Sequence, residues 1–82
     1  MFYVYFVKCK DNSFYCGYTN DIKKRIAKHN SGHGAKYTKK RRPVVLVYSE
    51  KFDNKLLAMR RERELKKLSR KQKECLIFGK SR

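Results

Sequence analysis

The sequence predicts a small α/β (α+β) domain in the order β-β-α-β-α-α, with helices layered on a three-stranded sheet. Three observations carry this. Two aromatic and β-branched runs, at 2–8 and 14–18, flank the turn cluster Lys10-Asp11-Asn12-Ser13. Apolar residues then recur at helical spacing in the stretches that follow Asn20 and Asn54. A third apolar run, Val44-Val45-Leu46-Val47-Tyr48, lies between those stretches. With 82 residues there is surface to bury for one core, so residues 1–82 are read as a single domain.

Each element has its own signals. Phe2 to Lys8 and Phe14-Tyr15-Cys16-Gly17-Tyr18 read as an antiparallel hairpin. Thr19 or Asn20 is the expected cap of the first helix, with Asp21 in its first turn, where a carboxylate suits the helix dipole. Ile22 and Ile26 form its core stripe, and Asn30-Ser31-Gly32 ends it. Residues 31–43 read as a Gly- and Lys-rich loop closed by Pro43, and Val44 to Tyr48 as the third strand. Asp53 or Asn54 caps a longer helix through Leu68, with Leu57, Ala58, Leu65 and Leu68 on its buried side. Ser69-Arg70-Lys71-Gln72 matches a capping box and opens a last helix carrying Leu76, Ile77 and Phe78.

Charge narrows the partner. Lys and Arg outnumber Asp and Glu by 23 to 7, a net charge of +16. The hydrophobic fraction of 40% and aromatic fraction of 13% separate this chain from disordered polycations. A folded domain carrying so much self-repulsion is best explained by a polyanionic partner. Nucleic acid leads, with anionic membrane or heparin-like polymer behind. The cations are spread along the chain, so no detachable basic tail is indicated.

Other classes fall away. No apolar run approaches the ~20 residues that span a bilayer, and Met1 to Val7 lacks the basic segment and cleavage site of a signal peptide. Cys9, Cys16 and Cys75 are an odd number without a CxxC pair, which points to a reducing cytoplasm rather than a disulfide scaffold. A Cys9–Cys16 bond across the hairpin is the minor reading. His29 and His33 have no third zinc ligand nearby in sequence. No haem or nucleotide cofactor is indicated.

Several residues stand out chemically. Tyr3, Tyr5, Tyr15 and Tyr18 crowd the hairpin, with Tyr3 and Tyr5 on one face and Tyr15 placed to join them. They are either cross-strand packing or phenols that handle protons and orient water. Gly17 marks either a bulge or a close approach. Arg25 and His29 lie one turn apart on one helix face, among Lys23, Lys24 and Lys28. Glu62 aligns with Ala58 and Leu65, so it faces either salt-bridge partners or the sheet, where a lone carboxylate would suit one weakly held Mg²⁺ or Mn²⁺. The loop Gly34-Ala35-Lys36-Tyr37-Thr38-Lys39-Lys40-Arg41-Arg42 interleaves an aromatic with five cations; it is either an ordinary solvated loop or, as the charge of the whole chain favours, a surface for phosphates and a stacked base or sugar. Lys36, Tyr37, Lys39, Lys40 and Arg41, with Tyr18, Lys23 and Lys24, are the expected nucleic-acid contacts.

Taken in order, these pieces resemble the GIY-YIG endonuclease superfamily, in particular its small stand-alone bacterial members. Tyr3-Val4-Tyr5 occupies the place of the first motif and Tyr15-Cys16-Gly17 that of the second. Arg25 follows at the family's spacing, and Glu62-Arg63-Glu64-Leu65-Lys66 resembles its acidic helix motif. The loop from Asn30-Ser31-Gly32 to Lys36-Tyr37-Thr38 resembles that of the small members. The resemblance implies a three-stranded antiparallel sheet flanked by helices that cuts a nucleic-acid phosphodiester, most expectedly of DNA, with one divalent metal, Mg²⁺ or Mn²⁺. By that likeness Tyr15 is the general base or water-orienting phenol, with Tyr5 beside it. Arg25 stabilises developing charge and Glu62 anchors the metal. His29 stands where several members carry tyrosine, Tyr3 replaces the family's glycine, and Cys16 its aliphatic residue. Tyr18 stands where some members carry lysine, and the terminal asparagine of some members has no clear counterpart. Larger members add a DNA-recognition domain; without one, low sequence specificity is expected. Repair or recombination, in company with a larger repair complex, is the expected setting, and a non-catalytic DNA- or RNA-binding module is the alternative.

Overall fold

A computed structural model describes residues 1–79. Strands β1 (Phe2–Lys8), β2 (Phe14–Thr19) and β3 (Val45–Phe52) form one antiparallel sheet in the order β2-β1-β3. Helix α1 (Ile22–Asn30) and the single-turn α2 (Lys36–Lys39) follow the hairpin, and α3 (Lys55–Lys66) and α4 (Arg70–Phe78) follow β3. The element order is the expected one, with α2 added inside the segment read as loop.

β1 is central and covered on both faces, so Val4, Tyr5, Phe6 and Val7 are all fully buried. Strand alternation divides them between two cores. On one face Val4, Phe6 and Cys16 pack against Ala58 and Leu65 of α3, joined by Leu76 and Ile77 of α4. On the other face Tyr5, Val7, Cys9 and Val44 pack with Tyr15 and with Ile26 of α1. Cys9 and Cys16 therefore belong to different cores, and both are free thiols.

The local signals mostly act as expected, with four corrections. Asp21, not Thr19 or Asn20, is the N-cap of α1, its carboxylate accepting the Lys24 amide at 3.1 Å. Thr19 instead accepts the Asp21 amide at 3.1 Å and turns the chain into the helix. β3 begins at Val45 and runs to Phe52. Its polar half escapes an apolar pattern because Lys51, Glu50 and Ser49 are held by pairing with Tyr3, Val4 and Tyr5. Val44 is held instead by the Asn30 side chain, which accepts its N–H at 2.7 Å and donates to its carbonyl at 3.1 Å. α3 stops at Lys66, and Leu57 is 41% exposed, because the stripe that meets the sheet runs through Ala58 and Leu65. Phe78, expected on the last helix's packing side, is exposed at its end. Asn54 caps α3 and the Ser69–Gln72 capping box opens α4, both as expected.

Candidate active site

The α1 side of the sheet holds a directional hydrogen-bond chain. Arg25 Nε donates to the Tyr5 hydroxyl at 3.2 Å. That hydroxyl lies 2.9 Å from His29 Nε2, and His29 Nδ1 lies 2.8 Å from Thr38 Oγ1. Thr38 spends its single proton on the Ala35 carbonyl at 2.9 Å. Toward His29 it can only accept, so Nδ1 carries the ring proton. Nε2 of the neutral ring is then bare, and Tyr5 donates to it. The order Arg25, Tyr5, His29, Thr38, Ala35 carbonyl follows from donor and acceptor counting. Tyr5, His29 and Thr38 are fully buried, and Arg25 is half-buried.

Electrostatics agrees with this order. Burial pushes the Tyr5 phenol up to about 12, although the Arg25 bond and charge pull the other way. Tyr5 is thus protonated at neutral pH. His29 is held below its ordinary value, first by burial and then by Arg25 and Lys28, so its ring is neutral. Arg25 is raised chiefly by its bond to Tyr5, and it also feels Tyr15.

Tyr15 joins from β2. Its ring meets His29 edge-on at 5.4 Å between centroids and stacks on Tyr37 at 5.8 Å with planes 27° apart. The placement of Tyr15 on the Tyr5 face is as the alternation predicted. Gly17 lies directly opposite Tyr5, and a Cβ there would stand 2.6 Å from the Tyr5 hydroxyl oxygen. It therefore makes room for Tyr5. The ladder irregularity lies elsewhere, between β1 and β3 at Phe6 and Val7.

Glu62 lies on the other side of the sheet. It sits on α3 with a side chain 19% exposed and an ion pair to Lys66 at 3.4 Å. Burial pushes the Cys16 thiol up to about 12, and the Glu62 charge is the next contribution, in keeping with a carboxylate on the helix whose Ala58 and Leu65 pack on the Cys16 core. Tyr15 and Glu62 thus flank the edge strand β2 from opposite faces. Among the described residues no group of three or more His, Cys, Asp or Glu side chains is placed to hold a metal. Tyr18 also packs on the Glu62 side, against the α3 core.

The basic segment is more structured than a solvated loop. Arg41 donates to Asp11 Oδ2 at 3.0 Å and to the Tyr37 carbonyl at 2.7 Å, and its guanidinium lies 4.0 Å over the Tyr37 ring. Tyr37 and Arg41, expected to contact nucleic acid, are thereby engaged within the chain and support Tyr15 from outside. Lys36, Lys39 and Lys40 are exposed, as are Lys23 and Lys24 of α1. Lys39, Lys40 and Arg42 border an open groove of about 640 Å³ with Asn30 and Pro43. A second groove of about 510 Å³ is bordered by Arg25, Lys24, Lys28 and Asp21.

Sequence reasoning missed Thr38, Gly34 and Asp11. Gly34 lies against His29 so closely that a Cβ would stand 2.7 Å from the His29 Cα. Thr38 and Gly34 lie inside the segment that resembles the loop of the small family members, but nothing in their spacing points to His29. Asp11 is thirty residues from Arg41 and reads only as a turn former.

A sheet of this topology, with paired hairpin tyrosines facing an arginine one strand-to-helix step away, defines a GIY-YIG domain. The family model for the GIY-YIG catalytic domain matches residues 1–74, and the chain belongs to that nuclease family. A UPF0213 protein of Staphylococcus haemolyticus is 68% identical over 75 residues, covering 92% of each chain. The UPF0213 protein YazA of Bacillus subtilis is 59% identical over 92% of this chain and 76% of its own. The solution NMR structure of a UPF0213 protein from Bacillus halodurans superposes with a TM-score of 0.62 at 53% identity, covering 98% of this chain and 86% of that one.

Proposed function

We propose that this protein is a cytoplasmic, metal-dependent endonuclease that cleaves DNA phosphodiester bonds with low sequence specificity, in repair or recombination, as one domain. The observation that carries the reading is the cluster of buried Tyr5 and His29 with half-buried Arg25, beside the half-exposed Tyr15, on a chain of net charge +16. A module that only bound nucleic acid would need the cations but no buried phenol–imidazole–guanidinium chain.

The residues divide the work. Phosphodiester cleavage needs an oriented water and positive charge where negative charge develops. Tyr15, held edge-on by His29 and flat by Tyr37, has its hydroxyl direction set by packing and orients the water or takes its proton. Arg25 gives its Nε to Tyr5 and borders the groove of about 510 Å³, where a phosphate oxygen can accept from its guanidinium. Tyr5 and His29, both buried, hold Arg25 and Tyr15 in place. Lys23, Lys24, Lys36, Lys39 and Lys40 attract the phosphate backbone, and Arg42 joins Lys39 and Lys40 at the groove of about 640 Å³.

The family implies a divalent cation, and Glu62 is the donor available for it. A single carboxylate, half-buried and paired with one lysine, fits an Mg²⁺ or Mn²⁺ held mostly by waters and does not fit a multi-ligand cage. Bound there, the cation would neutralise phosphate charge at the edge of β2, opposite Tyr15.

The test is cleavage of duplex, nicked, flapped and branched DNA in Mg²⁺ or Mn²⁺ by the wild type, Tyr15→Phe and Glu62→Ala. Cutting by the wild type that both substitutions abolish is expected. DNA binding with no cutting on any substrate supports the non-catalytic alternative and overturns this reading.

A further inference from the structure

We infer that Thr38 is a positioning residue that fixes the tautomer of His29 and, through it, the direction of the Tyr5 hydroxyl. The inference rests on the nuclease reading for its catalytic consequence, but its structural part stands on geometry alone. Thr38 is fully buried, with Oγ1 2.8 Å from His29 Nδ1 and 2.9 Å from the Ala35 carbonyl. A hydroxyl has one proton, and the carbonyl, which can only accept, claims it. Nδ1 must then be the protonated ring nitrogen, which leaves Nε2 free to accept from Tyr5 2.9 Å away.

Without that hydroxyl the buried Nδ1–H has no acceptor at this position, and an unsatisfied buried donor is costly. The neutral ring relieves the cost by moving its proton to Nε2. His29 would then donate to Tyr5, which already accepts from Arg25, and the Tyr5 proton would lose its acceptor in the cluster. The chain would be reversed at its centre.

The position of Thr38 adds significance. It lies on α2 between Tyr37, which stacks on Tyr15, and Lys39, which is exposed beside a cationic groove. One helical turn therefore carries a prop for Tyr15, the tautomer lock for His29 and cations for the phosphate backbone. DNA held by α2 bears directly on the element that sets the site's hydrogen bonds.

Two substitutions separate this role from simple packing. Thr38→Val keeps the shape and removes the hydroxyl, whereas Thr38→Ser keeps the hydroxyl and removes a methyl group. ¹⁵N-resolved NMR of the His29 ring should show protonated Nδ1 and bare Nε2 in the wild type and in Thr38→Ser, with the pattern reversed in Thr38→Val. In cleavage assays Thr38→Val should lose at least about tenfold in kcat with KM little changed, while Thr38→Ser stays within about threefold of wild type. A folded Thr38→Val with the wild-type ring pattern overturns the inference, as does a Thr38→Ser with the reversed pattern. The NMR result is independent of cleavage. A wild type that cuts nothing but shows the tautomer switch refutes the nuclease reading and leaves the assignment of Thr38 intact.

Discussion

The Tyr5 hydroxyl and His29 Nε2 lie 2.9 Å apart with both side chains fully buried, one from the central strand and one from the last turn of α1. Arg25, one helical turn before His29, donates to the same hydroxyl. A strand and a helix are thereby fastened at a single oxygen. Tyr5→Phe removes that oxygen and leaves a bare imidazole nitrogen and a guanidinium without their partner. The loss should be about 1–3 kcal/mol of unfolding free energy in urea titrations. Cleavage should fall by about 100-fold or more, the scale of losing a proton-handling group's support. A variant as stable and as active as the wild type would remove Tyr5 from the site.

Two glycines are spaces rather than hinges. A Cβ on Gly34 would stand 2.5 Å from His29 Nδ1 and 2.7 Å from its Cα, and the latter is backbone that cannot swing aside. A Cβ on Gly17 would meet the Tyr5 hydroxyl oxygen at 2.6 Å, the end of a side chain pinned by two hydrogen bonds. Gly34→Ala and Gly17→Ala should each destabilise the fold by about 1–3 kcal/mol, as overpacked cores do. Denaturation midpoints of the Gly34 and Gly17 variants equal to the wild type would show that the two sites yield without cost.

His29 gives stability a pH dependence. Burial, Arg25 and Lys28 hold its folded value below the ordinary 6.5. The unfolded chain therefore takes up a proton that the native ring refuses, and uptake favours unfolding. The contribution is complete above about pH 6.5 and is lost as pH falls from there through the folded value. Glu50, lowered chiefly by Arg61, acts in a more acidic window below its ordinary 4.5. Urea midpoints should fall between pH 7.5 and 5 in the wild type, with a shallower fall in His29→Gln. Equal slopes in the two proteins would refute the assignment.

Charge should control binding separately from cutting. Lys39 and Lys40 are exposed beside the groove of about 640 Å³, away from the Tyr5 cluster's hydrogen bonds. Each phosphate contact contributes about 0.9 to the slope of log K against log salt on duplex DNA. Lys39→Ala/Lys40→Ala should weaken binding and reduce that slope by about 1–2, read from isotherms at several salt concentrations. An unchanged slope would place the DNA on another face.

Much of this was legible in the sequence, for identifiable reasons. The hairpin, the Asn54 cap and the Ser69 capping box are local, so Phe2 to Lys8, Phe14 to Tyr18, Asn54 and Ser69 could be read from neighbours a few residues away. Strand alternation placed Tyr15 with Tyr5, and the helical repeat placed Arg25 with His29. What escaped depends on distant partners. The polar end of β3 is a strand because β1 pairs with it, and Leu57 is exposed because the sheet selects the Ala58 stripe. Asp11 restrains Arg41 across thirty residues, and Thr38 orients a histidine nine residues earlier. The sequence leaves Glu62 between a salt-bridged surface and the sheet; it is half-buried and paired with Lys66, on the face of the edge strand opposite Tyr5 and Tyr15.

The claim that the buried cluster serves chemistry rather than affinity is tested most directly by Arg25→Ala, with DNA binding and single-turnover cleavage measured on the same substrate. Arg25 is one cation among 23 Lys and Arg residues, so its loss should change affinity by less than about fivefold. Its loss from the phosphate side of the site should lower the cleavage rate by about 100-fold or more. Cleavage that persists, or falls only in proportion to binding, would contradict the account.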